Sequence, residues 1–195
     1  MLSITRSIAA IGLGLLVASE ALSDACTLGD ASVGKIKSAA CSGCHGADGN
    51  SRVPLQPTLA GQEPYYIVRQ LKAFKDGTRQ NSMMNAIATG LSEADMGALA
   101  AYFAAQAPQS AGGDPGLAKK GKTKYKACWS CHGSNATGQK GYPRLAGQQP
   151  QYLVRQLKNF KNGSRKNPAM KGIVENLSSA DMEAIAAYLG SLNSK

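Results

Sequence analysis

Cys41-Ser42-Gly43-Cys44-His45 and Cys128-Trp129-Ser130-Cys131-His132 are two copies of one pattern. Together they take four of the five cysteines and both histidines of the 195-residue chain. C-x-x-C-H is the attachment pattern of a c-type haem. The two thiols add across the haem vinyl groups, and the adjoining histidine turns under the iron as an axial ligand. Two intervening residues let one turn of helix present both sulfurs and the imidazole to one porphyrin edge. The residues therefore point to two haem c groups, one held through Cys41 and Cys44, the other through Cys128 and Cys131, with His45 and His132 as iron ligands. A zinc site of Cys and His and a redox-active C-x-x-C pair are the alternatives. Neither explains why spacing and histidine recur together.

With no further histidine, the opposite axial position falls to Met, Lys, a thiolate, water or nothing. A thioether suits an electron carrier, because it raises the reduction potential and closes the iron to substrate. Two of the methionines pair across the repeat as Met84 with Met170, and two more as Met96 with Met182. Met96, Leu99 and Phe103 stand at i, i+3 and i+7, as do Met182, Ile185 and Leu189. That spacing is the apolar stripe of a core-facing helix. Met84 and Met170 have polar or proline neighbours (Asn81, Asn167, Pro168) in segments that read as loops. They are the expected iron ligands.

The elements around these residues are helical. Ala31 to Ala40 is a short helix leading into the first motif, and 46–58, rich in Gly, Pro, Asn and Ser, is loop. Pro64 opens a helix over Tyr65 to Lys75, stopped by Gly77. Thr78 to Gly90 reads as loop, and Ser92-Glu93-Ala94-Asp95 as a capping box starting a helix that ends near Gln106. The pattern then repeats. Pro57-x-Leu59-Ala60-Gly61-Gln62 returns as Pro143-x-Leu145-Ala146-Gly147-Gln148, Val68-Arg69-Gln70-Leu71-Lys72 as Val154-Arg155-Gln156-Leu157-Lys158, and Ala100-Ala101-Tyr102 as Ala186-Ala187-Tyr188. Two repeats of this length are a duplicated domain rather than a solenoid, and no β-alternating run stands out. The expectation is an all-α chain: a signal peptide over 1–23, one domain over 24–108, a linker over 109–116 and a second domain over 117–195. Each domain is small for a core of its own, so a covalently held macrocycle supplies its centre.

The first 23 residues read as an export signal, with Arg6 ahead of an apolar run from Ile8 to Ala18 that is short for a membrane span. An exported, periplasmic protein follows, and a retained membrane anchor is the alternative. Cys26, the leftover cysteine, reads as a free or intermolecular thiol, with lipid attachment as the alternative. The net charge of +10 is unevenly spread. Residues 24–108 carry seven basic and seven acidic side chains, 7 − 7 = 0, whereas 109–195 carry fourteen and four, 14 − 4 = +10. Lys119, Lys120, Lys122, Lys124 and Lys126 crowd ahead of the second motif. They are either a solvated face or a docking patch for an acidic redox partner. Nucleic acid is excluded as a partner by export and by the lack of a recognition motif.

The order of helix, C-x-x-C-H, loop, helix, methionine segment and capped helix with Ala-Ala-Tyr makes each half resemble a class I cytochrome c domain. With Leu-Ala-Gly-Gln, Arg-Gln-Leu-Lys and Phe-Lys-x-Gly in both halves, everything after the signal resembles the dihaem cytochrome c4 family. The resemblance implies two His/Met haems facing each other across a pseudo-twofold interface. It also implies a periplasmic carrier of single electrons from respiratory-chain donors to a terminal oxidase, free or peripherally bound to the membrane. The competing reading is a haem-bearing electron-transfer subunit of a sulfide- or alcohol-oxidising complex. A peroxidase-type dihaem enzyme would need an open iron and acid–base groups beside it, and both histidines are already committed.

Overall fold

The computed structural model describes residues 28–193; the expected export signal and Cys26 lie outside them. The first half runs α1 (Ala31–Lys37), a 3₁₀ turn (Ser38–Cys41), α2 (Ser42–His45), α3 (Pro64–Lys75), α4 (Ser82–Thr89) and α5 (Glu93–Ala104). The second repeats it as α6 (Pro115–Lys124), a 3₁₀ turn (Tyr125–Cys128), α7 (Trp129–His132), α8 (Pro150–Lys161), α9 (Pro168–Val174) and α10 (Ser179–Ser191). No strand occurs among the described residues; there is one isolated antiparallel bridge, Gln139 to Tyr142.

Each half is built on a crossing of its first and last helices, α1 on α5 and α6 on α10. Glycine makes the crossing close. A Cβ at Gly34 would overlap the Ala98 carbonyl, and one at Gly121 the Ala184 carbonyl. Matched ion pairs tie the same helices together, Lys37 to Asp95 at 2.7 Å and Lys124 to Asp181 at 2.5 Å. Both carboxylates also complete capping boxes with Ser92 and Ser178, as the sequence pattern predicts. Those hydrogen bonds, from the lysine first, hold Asp95 and Asp181 at a pKa of about 2.

Two expectations need correcting. Thr78 to Gly90 is not simply loop: Ser82–Thr89 is helix α4, and Pro168–Val174 is its counterpart α9. Asn81 and Asn167 are the reason. Each sits in extended backbone, and its side chain accepts the N–H of Met84 or Met170 (3.0 and 2.9 Å), satisfying a donor that a helix start leaves orphaned. Pro115 and Gly116, assigned by composition to the linker, form the first turn of α6 behind the N-cap Asp114. The segment between the halves is fastened to both: Asn50 binds the Ala107 carbonyl and the Gln109 N–H, and Ser110 donates to the Gly190 carbonyl.

Candidate haem centres

In each half the 3₁₀ turn delivers the first cysteine, and the single helical turn after it delivers the second with its histidine. His45 and His132 are each 6% exposed. The His45 Nδ1 lies 2.8 Å from the Pro57 carbonyl, and the His132 Nδ1 2.9 Å from that of Pro143. A carbonyl only accepts, so Nδ1 carries the proton and the Nε2 lone pair is left for a metal, the usual division of labour in a ligating imidazole. Burial lowers both imidazole pKa values, against the opposing pull of the carbonyls, and so favours the neutral ring that ligation requires.

A cavity of about 360 Å³ collects the first set: Cys41, Cys44, His45 and Met84 line it together with apolar Ile67, Leu71, Phe74, Leu99 and Phe103. Two thiols, an anchored imidazole and a thioether around an apolar space are the donor set and solvent that a haem c needs. The cavity continues into the second half, past Pro143, Leu145 and Leu153. Met170 does not line it. It stands at the place of Met84 on α9, half-buried, with Cys128, Cys131 and His132 at the places of Cys41, Cys44 and His45. Met96 and Met182 are 1% and 2% exposed, the former among Ile67, Val68, Leu99 and Phe103, so these two are core as their spacing predicts. A redox-active thiol pair has a depressed thiol pKa. Here burial, seconded by the neighbouring cysteine, raises Cys41 and pushes Cys128 to about 11. Among the described residues no three His, Cys, Asp or Glu side chains converge as a metal cluster.

Sequence reasoning missed the residues of the seam. Gln62 donates through Nε2 to the Arg144 carbonyl (3.0 Å) and accepts the Arg144 N–H (2.7 Å). Gln148 does the same to Thr58, donating at 2.9 Å and accepting at 2.7 Å. Arg69 reaches the Gly141 carbonyl, and Arg155 the Leu55 carbonyl. Elsewhere in the seam, Arg79 donates to Gln70, Tyr152 and Gln156, and Arg165 to Gln156, Tyr66 and Gln70. Each of these bonds has its partner under exchange of the halves, so the halves meet about a pseudo-twofold. The Tyr66 phenol records the charge there: burial works to raise its pKa, but Arg165 and Arg79 outweigh it and hold it below the ordinary value. The signal was present as the repeated Gly-Gln and Arg-Gln-Leu motifs, in which polar side chains recur where one domain alone has no use for them.

Outside the seam, the five lysines from Lys119 to Lys126 are all exposed, Lys124 through its pairing with Asp181 only in part free. Trp129, 41% exposed between Cys128 and Cys131, has the Lys126 ammonium 6.0 Å from its ring. The first half has Ser42 and Ala39 at those places.

The cytochrome c family model matches the chain twice, over residues 34–106 and 118–193. The chain is 38% identical to cytochrome c4 of Pseudomonas aeruginosa over 180 residues, covering 85% of this chain and 90% of the relative. It is 42% identical to cytochrome c-552 of Acidithiobacillus ferridurans over 194 residues, 91% of this chain and 84% of that one. Its fold superposes on the crystal structure of reduced recombinant cytochrome c4 from Pseudomonas stutzeri with a TM-score of 0.80 at 36% identity, covering 84% of this chain and 99% of that one. Two anchored C-x-x-C-H turns, two helical halves and these likenesses lead to one assignment: the chain belongs to the cytochrome c4 family, electron-transfer proteins with two cytochrome c domains and two haem c groups.

Proposed function

We propose that this protein carries single electrons between exported redox partners, in the periplasm, without catalysis of its own. The haems supply the one-electron iron couple. Cys41 and Cys44, and Cys128 and Cys131, would hold them by thioether bonds, with His45 Nε2, His132 Nε2 and the thioethers of Met84 and Met170 as the donors to iron. The domain limits we infer are those read from the repeat, 24–108 and 117–195, with the second entered at Pro115.

The observation that carries this reading is the arrangement of Cys41, Cys44, His45 and Met84 around one largely apolar cavity, with His45 Nδ1 fixed on the Pro57 carbonyl. An anchored imidazole and a thioether would leave a bound haem iron no open position for substrate. The exposed lysines of α6 support docking of an acidic protein surface, such as that of a membrane-bound oxidase, on the second half, because opposite charge speeds and orients encounter. No helix among the described residues is long and apolar enough to cross a membrane.

Mass spectrometry of the denatured, exported protein tests the core of the proposal. Two haem additions are expected on a chain lacking its first twenty-odd residues, and both should be lost when the four motif cysteines become alanine. A single haem, or zinc in place of haem, would overturn it.

A further inference from the structure

The seam contains a charge arrangement that the protein alone does not balance. The Arg79 guanidinium lies 4.5 Å from the Phe74 ring centroid, and that of Arg165 4.5 Å from Phe160. Their hydrogen bonds, at 2.7 to 3.1 Å, all end on neutral oxygens: the amides of Gln70 and Gln156 and the phenols of Tyr66 and Tyr152. The three ion pairs among the described residues involve neither arginine. Gln70 Oε1 accepts from both guanidiniums, and so does Gln156 Oε1, so two like charges are drawn to the same pair of acceptors. Half-buried like charges without a counter-ion are costly, and guanidinium is the side chain best shaped to take carboxylate in a two-pronged bond.

Both arginines also line the cavity that holds Cys41, His45 and Met84 and that crosses into the second half. A haem c carries two carboxylate side chains, on the edge away from the thioethers. We propose that Arg79 and Arg165 are the shared counter-charge for the carboxylates of both haems, each guanidinium acting on the haem of its own half and on that of the other. The inference rests on the two-haem reading above. It assigns the arginines a positioning and electrostatic role: they keep the haem carboxylates ionised, hold them at the seam, and make the two reduction potentials depend on the same charges. The neutral partners are suited to this. Tyrosine and glutamine fix the planes of the guanidiniums without neutralising them.

Haem-loaded Arg79→Gln, Arg165→Gln, Arg79→Lys and Arg165→Lys proteins provide the test, each checked by mass for two haems. Potentiometric titration should show both potentials lowered in each glutamine variant, because a lost positive charge disfavours the less positive, reduced haem. The expected change is threefold or more in each one-electron equilibrium, about 28 mV at about 59 mV per tenfold. The pH range over which potential depends on pH should move upward, since a carboxylate without its guanidinium binds protons more readily. The lysine variants should restore most of both effects. Two haems with unmoved potentials and an unmoved pH profile would overturn the inference even if melting temperature falls. So would a shift confined to the haem of the mutated half. Failure of the wild type to carry two haems would instead overturn the functional reading beneath it.

Discussion

Truncation of the paired methionines separates ligands from core in a single experiment. Met96 and Met182 are almost wholly enclosed, at 1% and 2% exposure. Met96→Ala leaves a hole among Ile67, Val68, Leu99 and Phe103, and Met182→Ala removes a side chain of like burial. Removal of a buried side chain of this size costs about 2–5 kcal/mol. In a domain of 60–100 residues each kcal/mol is about 4–8 °C of melting temperature, so a fall of at least about 8 °C is expected for each variant. The weak near-infrared band of thioether bonded to oxidised haem iron should stay intact in both. Met84 and Met170 are only half-buried, on short helices whose first turns are held by Asn81 and Asn167. Met84→Ala and Met170→Ala should each remove half of the band and open one iron to carbon monoxide. Absorption spectra of the oxidised proteins, with and without the gas after reduction, read this directly. If Met96→Ala or Met182→Ala loses half the band while Met84→Ala or Met170→Ala keeps it, the ligand assignment is reversed and the cavity lining has been misread.

The second haem should have the higher potential. Lys122 and Lys124 have counterparts in Lys35 and Lys37, so within this cluster the excess is Lys119, Lys120 and Lys126, which replace Ser32, Val33 and Ala39. One unit charge about 10 Å away at an effective dielectric of about 40–80 contributes about 0.4–0.8 kcal/mol, on the order of 20–35 mV for one electron. Potentiometry should show a split of some tens of millivolts that shrinks with added salt and when these three lysines become glutamine; a split indifferent to both would leave the lysines only a docking role. Gln62→Ala and Gln148→Ala should each strand a buried backbone N–H and carbonyl, of Arg144 or Thr58. At about 1–3 kcal/mol for each unpaired group, denaturant unfolding should report a loss of about 2–6 kcal/mol, and a loss under about 0.5 kcal/mol would mean that the halves are held together by other contacts.

Much of the molecule was legible because it is written in short-range terms. Two thiols and an imidazole within five residues define a haem turn whatever surrounds them. A capping box at Ser92 or Ser178 acts over one helical turn, and Met96 and Met182 show their burial through spacing along one helix. The duplication itself is a comparison of the chain with its own other half. Even α4 and α9 have a local cause in Asn81 and Asn167: polar residues ahead of Met84 and Met170 suit a loop and a helix cap equally, and here they are caps.

Tertiary structure alone decided what lies between the halves. The bonds from Gln62 to Arg144, Gln148 to Thr58, Arg79 to Tyr152 and Arg165 to Tyr66 join residues 73 to 99 positions apart. No rule of spacing or propensity reaches that far. A polar side chain on a single small domain is satisfied equally well by water, and its sequence does not say whether water or another chain segment will supply the partner. Only docking of two related surfaces, which excludes water from both at once, turns Gln62 and Gln148 into clasps and brings Arg79 and Arg165 together at the cavity that Cys41, His45 and Met84 line.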